Sequence, residues 1–296
     1  MKNTLWIALT AALIAAPTAR AEILLKDDTG ATVRLAAPAR RIVALAPHIA
    51  ESLYAAGAGS KLVGTVDYSD YPPEAKQVPR VGGYSRVDLE AVAALKPDLV
   101  LAWQSGNNMP QIDKLKALGL TVFVSQPNTM AHVAQQLEQL GRMAGSEQIA
   151  KPAAERFRQR LAALQTANAG KARIRTFYQI WKTPLMTVGG PQIISDAIKL
   201  CGGENVFGQL PQMAPNVTVE AVLAADPEVI VATGMGDAKP EWLHDWDKWT
   251  RMTAVKRDNL FHINPDIMQR HTPRILDGAE KLCAHLDVAR SRRPQK

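Results

Sequence analysis

The chain has 296 residues, of which 47% are hydrophobic and 21% are charged. This composition is typical of a globular protein large enough for two domains, and it excludes a disordered chain. Aromatic residues make up 5% of the chain. Because the sequence also lacks low-complexity tracts and heptad repeats, fibrous and coiled-coil proteins are excluded.

The formal net charge of +7 would by itself be typical of a nucleic-acid-binding protein. Lys2 and Arg20, however, fall in the N-terminal segment described next, and the remaining excess is concentrated near the C-terminus, at Arg290, Arg292, Arg293 and Lys296. No basic stripe interleaved with aromatic residues is left. We therefore expect no nucleic-acid partner.

Residues 1–21 have the order of a secretory signal peptide: Lys2, an apolar run over 5–16, and a small-residue cleavage site at 19–21. The alternative is a membrane anchor, but a run of about 12 apolar residues is too short for a spanning helix, which needs about 20. No cysteine follows the cleavage point, so a lipid anchor is not supported. The sequence predicts an exported, soluble protein that begins near Glu22.

After a predicted hairpin over 23–35, short apolar strands alternate with helical patterns, which is typical of α/β units packed on a mostly parallel sheet. The predicted strands cover 41–46, 62–66, 99–102, 121–124, 173–181, 229–233 and 260–263. The predicted helices cover 49–56, 89–95, 109–118, 130–144, 146–167, 193–201, 219–225, 243–252 and 273–286.

One predicted helix is long enough to separate the chain into two halves. It covers 146–167 and would run about 33 Å at the usual rise per residue; alternatively, Pro152 marks its first turn and the helix is shorter. The sequence thus predicts an N-terminal α/β lobe (22–145), a bridging helix (146–169), a C-terminal α/β lobe (170–290) and a basic tail (291–296).

The two halves share a repeat, because residues 89–102 align with 219–232 as helix, proline-containing turn and buried strand. A single long offset is not a solenoid period and instead indicates two similar lobes. A cleft between two lobes is a common place for a small-molecule site.

The motifs of enzymes are missing from the sequence, which contains no Gly-x-Ser-x-Gly elbow, phosphate loop or His-Glu-x-x-His. An exported two-lobed hydrolase remains a remote alternative. His48 and His271 each follow a predicted strand and precede a helix, where side chains point into the cleft of an α/β lobe. Either is a candidate axial ligand for the metal of a bound complex; the alternative is a histidine of the surface or core.

Aromatic residues cluster at predicted strand ends: Tyr68, Tyr71, Tyr84 and Trp103 in the first half, and Trp181 in the second. Such rings offer a flat apolar surface to a large, rigid ligand, although each could instead be a structural plug. By contrast, three tryptophans recur at helical spacing within the predicted helix 243–252 and its start, which favours a packing face: Trp242, Trp246 and Trp249.

Glu90 and Glu220 occupy the same position of the repeat, and Asp88 and Thr218 before them are candidate N-caps. Each glutamate therefore falls in a first helical turn, where the helix dipole favours negative charge, and this explanation suffices by itself. The functional alternative is one exposed carboxylate per lobe that docks a basic partner.

Cys201 and Cys283 are the two cysteines of the chain. An even number in an exported protein favours a disulfide, and two buried free thiols are the alternative. The two cysteines are too far apart in the sequence to have the close spacing of a metal or redox site.

Several strings resemble the cobalamin-binding branch of the helical-backbone periplasmic substrate-binding proteins (class III), whose relatives carry haem and iron-siderophores. They are Tyr-Ser-Asp-Tyr-Pro-Pro at 68–73, the Leu-Lys-Pro-Asp strand start at 95–98, Cys-Gly-Gly-Glu-Asn at 201–205 and Pro-Arg-Ile-Leu at 273–276. The resemblance implies two Rossmann-like lobes joined by a rigid helix, with a corrinoid bound in the cleft. It also implies a monomer in the periplasm without a cofactor of its own, which delivers its ligand to an ABC permease with its ATPase.

Site residues follow from the resemblance position by position. Tyr68, Tyr84, Trp103, Asp266 and Arg270 would line the cleft. The resemblance further implies that Glu90 and Glu220 contact permease arginines and that Cys201 pairs with Cys283.

The chain departs from this family at three positions. The resemblance implies tryptophan at each of them, whereas this chain has Tyr84, Ala214 and Ile267. Trp181 could refill part of the lost volume, and His48 is unexpected. A different corrinoid, haem or a ferric siderophore is therefore the alternative ligand.

Overall fold

The computed structural model describes residues 22–234 and 240–294. The predicted signal peptide, residues 1–21, lies outside the described residues. The described chain begins with the predicted hairpin, formed by antiparallel β1 (Ile23–Lys26) and β2 (Thr32–Leu35). Its turn passes through Gly30, whose φ of 87° lies in the left-handed region that favours glycine.

The N-terminal half of the described chain continues as alternating strands and helices. These are β3 (Ile42–Ala44), α1 (Pro47–Ala55), β4 (Leu62–Thr65), β5 (Gly82–Gly83), β6 (Arg86–Val87), α2 (Leu89–Ala94), β7 (Leu99–Trp103), α3 (Met109–Ala117), β8 (Val122–Ser125) and α4 (Met130–Ala144). The central strands form a parallel sheet in the order β4-β3-β7-β8, while β5 and β6 form a separate antiparallel pair. Strands β3 and β7 are almost wholly buried because helices cover both faces of the sheet.

The C-terminal half of the described chain repeats this plan. The bridging helix, α5 (Glu147–Asn168), comes first. The elements that follow it are β9 (Ile174–Trp181), β10 (Met186–Thr187), α6 (Ile193–Leu200), β11 (Gly203–Asn205), α7 (Val219–Ala225), β12 (Val229–Ala232), α8 (Thr253–Lys256), β13 (Leu260–His262), α9 (Pro265–Met268) and α10 (Ile275–Ser291). The sheet order is β10-β9-β12-β13, with β11 parallel to the first half of β9. In this sheet only β10 runs antiparallel, and the central sheet of the N-terminal half is wholly parallel, so the predicted mostly parallel α/β architecture is confirmed for the described residues.

Helix α5 joins the lobes and begins before Pro152, so the alternative of a shorter helix starting there is wrong. Its 22 residues span about 33 Å at 1.5 Å per residue. Ala150, Ala154, Phe157 and Leu161 are buried along one face, which packs on the core that continues through both lobes.

The helix predicted over 243–252 is wrong. A 3-10 helix occupies Glu241–Trp246, turns follow, and α8 begins only at Thr253. The carboxylate of Asp226 accepts from the backbone N–H of Thr253 at 2.7 Å and from its hydroxyl at 2.8 Å, which fixes a new helix start there. The packing role predicted for the tryptophans is nevertheless confirmed, since Trp246 is buried and donates through Nε1 to Gln179 at 2.8 Å.

The predicted repeat holds down to the backbone conformation of single residues. Helix α2 and strand β7 correspond to α7 and β12, and Asp88 and Thr218 cap the two helices. At the equivalent turn positions, Lys96 has φ 46° and Asp226 has φ 37°, so both turns use a left-handed residue. The two lobes are therefore built from the same supersecondary unit.

The last described residues, up to 294, pack against the C-terminal lobe. The Sγ atoms of Cys201 and Cys283 lie 2.02 Å apart, which joins α10 to the end of α6. Beyond α10, Arg293 donates to both carboxylate oxygens of Glu228 at 2.9 and 2.7 Å. No helix within 22–234 and 240–294 has the length and apolar character needed to cross a membrane.

Candidate ligand site between the lobes

Two side chains of the N-terminal lobe meet where adjacent parallel strands end. His48 lies in the first turn of α1, directly after β3, and Trp103 is the last residue of β7. Their ring centroids are 5.0 Å apart and the rings are nearly perpendicular. The carboxyl ends of neighbouring strands bring them together, which is the usual position of a ligand site in α/β sheets.

A histidine of the other lobe completes this contact. His271, between α9 and α10, lies 5.3 Å from His48 and 6.1 Å from Trp103, measured between ring centroids. The ring centroid of Tyr84 lies 6.0 Å from that of Trp103. We refer to His48, Tyr84, Trp103 and His271 as the interlobe ring cluster.

The backbone around Trp103 fixes the indole in place. A Cβ atom on Gly106 would overlap the indole, so only glycine lets this chain segment pass against the ring. Asn107 accepts from the backbone N–H of Trp103 at 2.6 Å and donates to the carbonyl oxygens of Leu45 and Tyr84 at 2.8 and 2.7 Å. One buried amide therefore ties β7 to β3 and to the loop that carries Tyr84.

Three ring nitrogens of the cluster are buried and have no hydrogen-bond partner among the described residues: Nε2 of His48, Nδ1 of His271 and Nε1 of Trp103. The other nitrogen of His271, Nε2, lies 3.5 Å from the amide nitrogen of Gln192. Buried polar groups are normally paired, so three unpaired ring nitrogens in one cluster are unusual.

Both histidines are neutral near pH 7. Burial lowers the pKa of His48 well below its usual value, and the nearby His271 and Arg270 lower it further. Burial lowers the pKa of His271 to about 4. A neutral imidazole with a free nitrogen is a common metal ligand. Within the described residues, no group of three or more histidine, cysteine or acidic side chains could hold a metal ion by itself.

Ion pairs cross between the lobes beside the ring cluster. Arg274 of the C-terminal lobe donates through Nε and one terminal nitrogen to the two oxygens of Glu51, at 2.7 and 2.6 Å. Arg270 donates to Asp70 at 2.6 Å and lies 2.9 Å from Asp266 of its own lobe. Burial raises the pKa of Asp70, but its hydrogen bond and charge interaction with Arg270 outweigh burial and lower the pKa overall.

A cavity of about 560 Å³ opens beside these ion pairs. Glu51, Tyr54, Tyr71 and Arg274 contribute to its wall. The guanidinium of Arg274 lies 3.6 Å from the ring centroid of Tyr71, a cation–π distance. A larger cavity of about 1180 Å³ lies under α5 and contains none of the predicted ligand residues in its lining.

The structure separates the predicted ligand residues into two groups. Trp103, Tyr84, Asp266 and Arg270 lie in or beside the ring cluster and its ion pairs. Tyr68 and Trp181 are 70% and 46% exposed, and within the described residues neither makes a ring contact with the cluster. The indole Nε1 of Trp181 instead donates to the carbonyl of Thr183 at 3.1 Å.

Sequence reasoning missed Glu51, Asp70 and Asn107. Glu51 did carry a signal, because it is an acidic residue in the mostly buried helix α1. Asp70 lies inside the Tyr-Ser-Asp-Tyr-Pro-Pro string, but nothing in the string shows its partner. Asn107 follows no motif.

The model of the periplasmic binding protein family matches residues 42–267. The chain belongs to this family. It is 39% identical over 253 residues to the vitamin B12-binding protein of Vibrio cholerae serotype O1, a match that covers 85% of this chain and 91% of the relative.

Solved structures of the family have the same fold. The periplasmic vitamin B12-binding protein of Vibrio cholerae superposes with a TM-score of 0.79 at 37% identity, over 86% of this chain and 98% of that structure. A periplasmic haem-binding protein from Pseudomonas aeruginosa superposes with a TM-score of 0.71 at 25% identity, over 87% of this chain and 95% of that structure. The predicted class III periplasmic binding protein fold, two α/β lobes joined by a long helix, is thus confirmed.

Each lobe of this periplasmic binding protein also presents one exposed glutamate on a capped helix. Asp88 accepts from the N–H of Ala91 at 3.0 Å and so caps α2, which carries Glu90. Thr218 caps α7, which carries Glu220. Hydrogen bonds from the backbone of Glu220 and from Thr218 lower the pKa of Glu220. Neither glutamate forms an ion pair with another described residue.

Proposed function

We propose that this chain captures cobalamin or a related corrinoid between its lobes and delivers it to an ABC permease with its ATPase. The observation that carries the proposal is the interlobe ring cluster, in a chain 39% identical to a vitamin B12-binding protein. Rings contributed by both lobes, with unpartnered nitrogens between them, suit a flat macrocycle that touches both lobes.

Each site residue then has a role. Tyr84 and Trp103 provide the apolar surface, and the exposed rings of Tyr68 and Trp181 extend it at the rim. Asp266 and Arg270 offer polar groups to the amide substituents of the corrin ring. His48 and His271 are the candidate axial contacts to the central metal, because each has a buried nitrogen without a described partner.

The rest of the molecule fits a carrier without catalysis. We propose that the chain is exported by residues 1–21, works in the periplasm as a monomer and keeps Cys201 and Cys283 oxidised there. Glu90 and Glu220 would dock basic residues of the permease, one contact for each lobe. The ligand is cargo, so no cofactor of the protein's own is needed.

Haem is the second candidate ligand, and a specific observation favours it. The buried, neutral imidazoles of His48 and His271 are the kind of group that coordinates haem iron. A haem-binding protein of the family also has the same fold.

Titration calorimetry with cyanocobalamin, cobinamide and haemin in parallel tests the proposal. We expect both corrinoids to bind more tightly than haemin.

Trp103→Phe should weaken corrinoid binding about tenfold through lost stacking surface, whereas the matched control Trp249→Phe, in the distant packing face, should not. Visible spectra distinguish the ligands, and a cobinamide band that shifts in the wild type but not in His48→Gln would identify axial contact. Tight haemin binding without corrinoid binding would overturn the proposal in favour of haem.

A further inference from the structure

We infer that Glu51, Asp70 and Asp266 make this cleft selective for a macrocycle with an uncharged, amide-bearing periphery and against one with ionised carboxylates. The inference rests on the proposed function, because it assumes that a macrocycle binds between the lobes. It assigns a specificity role to ion pairs that otherwise only join the lobes.

Arg270 lies beside the ring cluster, and both terminal nitrogens of its guanidinium already face protein carboxylates. One terminal nitrogen lies 2.6 Å from Asp70, with Glu51 at 3.9 Å, and the other lies 2.9 Å from Asp266. The side chain of Arg270 is only 13% exposed. A ligand carboxylate that approached either terminal nitrogen would therefore compete with a protein carboxylate.

The guanidinium of Arg274 also already has protein partners. It forms a bidentate pair with Glu51, whose side chain is 3% exposed, and the ring of Tyr71 lies over its guanidinium. Bidentate pairs of this kind are strong and geometrically specific. Arg274 thus has little capacity left to receive an anionic group.

The charges around the cleft leave an excess of negative charge. Three carboxylates surround two guanidiniums; Lys76 also acts on Asp70, and Glu74 in the cavity wall offsets it. The neighbouring imidazoles of His48 and His271 are neutral at pH 7. Because part of this network is buried, its interaction with a further charge is weakly screened. An ionised carboxylate on the ligand is therefore repelled.

A primary amide on the ligand, unlike a carboxylate, can donate hydrogen bonds to the carboxylates of the protein. The side chains of Asp70 and Asp266 are 44% and 43% exposed, so each keeps oxygen lone pairs that face solvent. A carboxylate oxygen accepts from an amide N–H, and a charge-assisted hydrogen bond of this type is stronger than a neutral one. The same groups that repel a carboxylate thus attract an amide.

The test compares two ligands that differ by one charge: cyanocobalamin, and a cyanocobalamin monocarboxylic acid in which one peripheral amide has been hydrolysed. Wild type should bind cyanocobalamin at least about tenfold more tightly than the acid, and Asp70→Asn or Asp266→Asn should reduce this ratio about tenfold. Asp113→Asn, on exposed α3, makes the same charge change away from the cleft and should leave the ratio unaltered.

The outcomes separate the two proposals. Equal affinity of wild type for both ligands, or an unaltered ratio in both cleft variants, would overturn the inference while cyanocobalamin binding stands. Failure of wild type to bind cyanocobalamin would overturn the proposed function itself. Both substituted carboxylates are partly exposed, so thermal unfolding should show folded variants, and either variant suffices if the other is unstable. Glu51 is left unchanged because its removal would strand Arg274 without its buried partner.

Discussion

The position of a single ring, Trp103, depends on residues that carry no functional group toward the ligand. Gly106 leaves room for the indole, and Asn107 holds the backbone of Trp103 against Leu45 and Tyr84. The sequence predicts an aromatic residue at a strand end, but the glycine three positions later is visible as a requirement only when the ring is placed.

Gly106→Ala should move the indole of Trp103, because the added methyl group would overlap it. We expect a loss of about 1–3 kcal/mol in the free energy of unfolding from overpacking. Urea unfolding measures this loss, and calorimetry should show weakened cyanocobalamin binding. Gly83→Ala is the matched control, since its Cβ would meet nothing nearer than Asp67 at 3.7 Å. Equal behaviour of the two variants would contradict the role of Gly106.

At the scale of elements, the repeat explains why two exposed glutamates occupy equivalent places. Helices α2 and α7 are short, and each is started by a side-chain cap that fixes its first turn. A carboxylate in a first turn is favoured by the helix dipole, so the structural explanation for Glu90 and Glu220 stands beside the docking proposal.

Charge reversal separates the two explanations. Glu90→Lys with Glu220→Lys should leave cyanocobalamin affinity unaltered, because both side chains are exposed on helices outside the ring cluster. Uptake of labelled cyanocobalamin by cells that depend on this protein should fall to background. Glu155→Lys, at an exposed position of α5, controls for the charge change. Normal uptake by the double variant would refute the docking role.

At the scale of the whole molecule, three kinds of contact hold the lobes together: the core that passes through both lobes, the helix α5, and the ion pairs of Glu51 and Asp70 with Arg274 and Arg270. The link between Cys201 and Cys283 acts within the C-terminal lobe alone. Stability of that lobe and spacing between the lobes therefore rest on different residues.

Replacing both cysteines by alanine should reduce the free energy of unfolding by about 4 kcal/mol, because the link closes a long loop in the unfolded chain. The sequence separation of the two cysteines is 82 residues. Urea unfolding of the variant measures the loss, and wild type in reducing agent should match it. Cyanocobalamin binding should persist at 25 °C, since the link lies away from the ring cluster. A variant as stable as oxidised wild type would show that the thiols are not bonded.

Much of the architecture follows from local sequence. Parallel strands, the repeat and the long helix were all predicted because hydrophobic periodicity and capping residues act over a few neighbouring positions. The stretch over 243–252 escaped this reasoning: its tryptophan spacing suits a helix, yet the distant carboxylate of Asp226 determines where α8 starts.

The site could be predicted only in part. Residue types at strand ends pointed to His48, Trp103 and His271, since the carboxyl ends of parallel strands converge. Their mutual contact, and the partners of Arg270 and Arg274, were decided by tertiary structure alone. Arg270 meets Asp70 across 200 positions of sequence, and Arg274 meets Glu51 across 223. No local pattern encodes such pairs, because they exist only once the packing of the two lobes has brought these residues together.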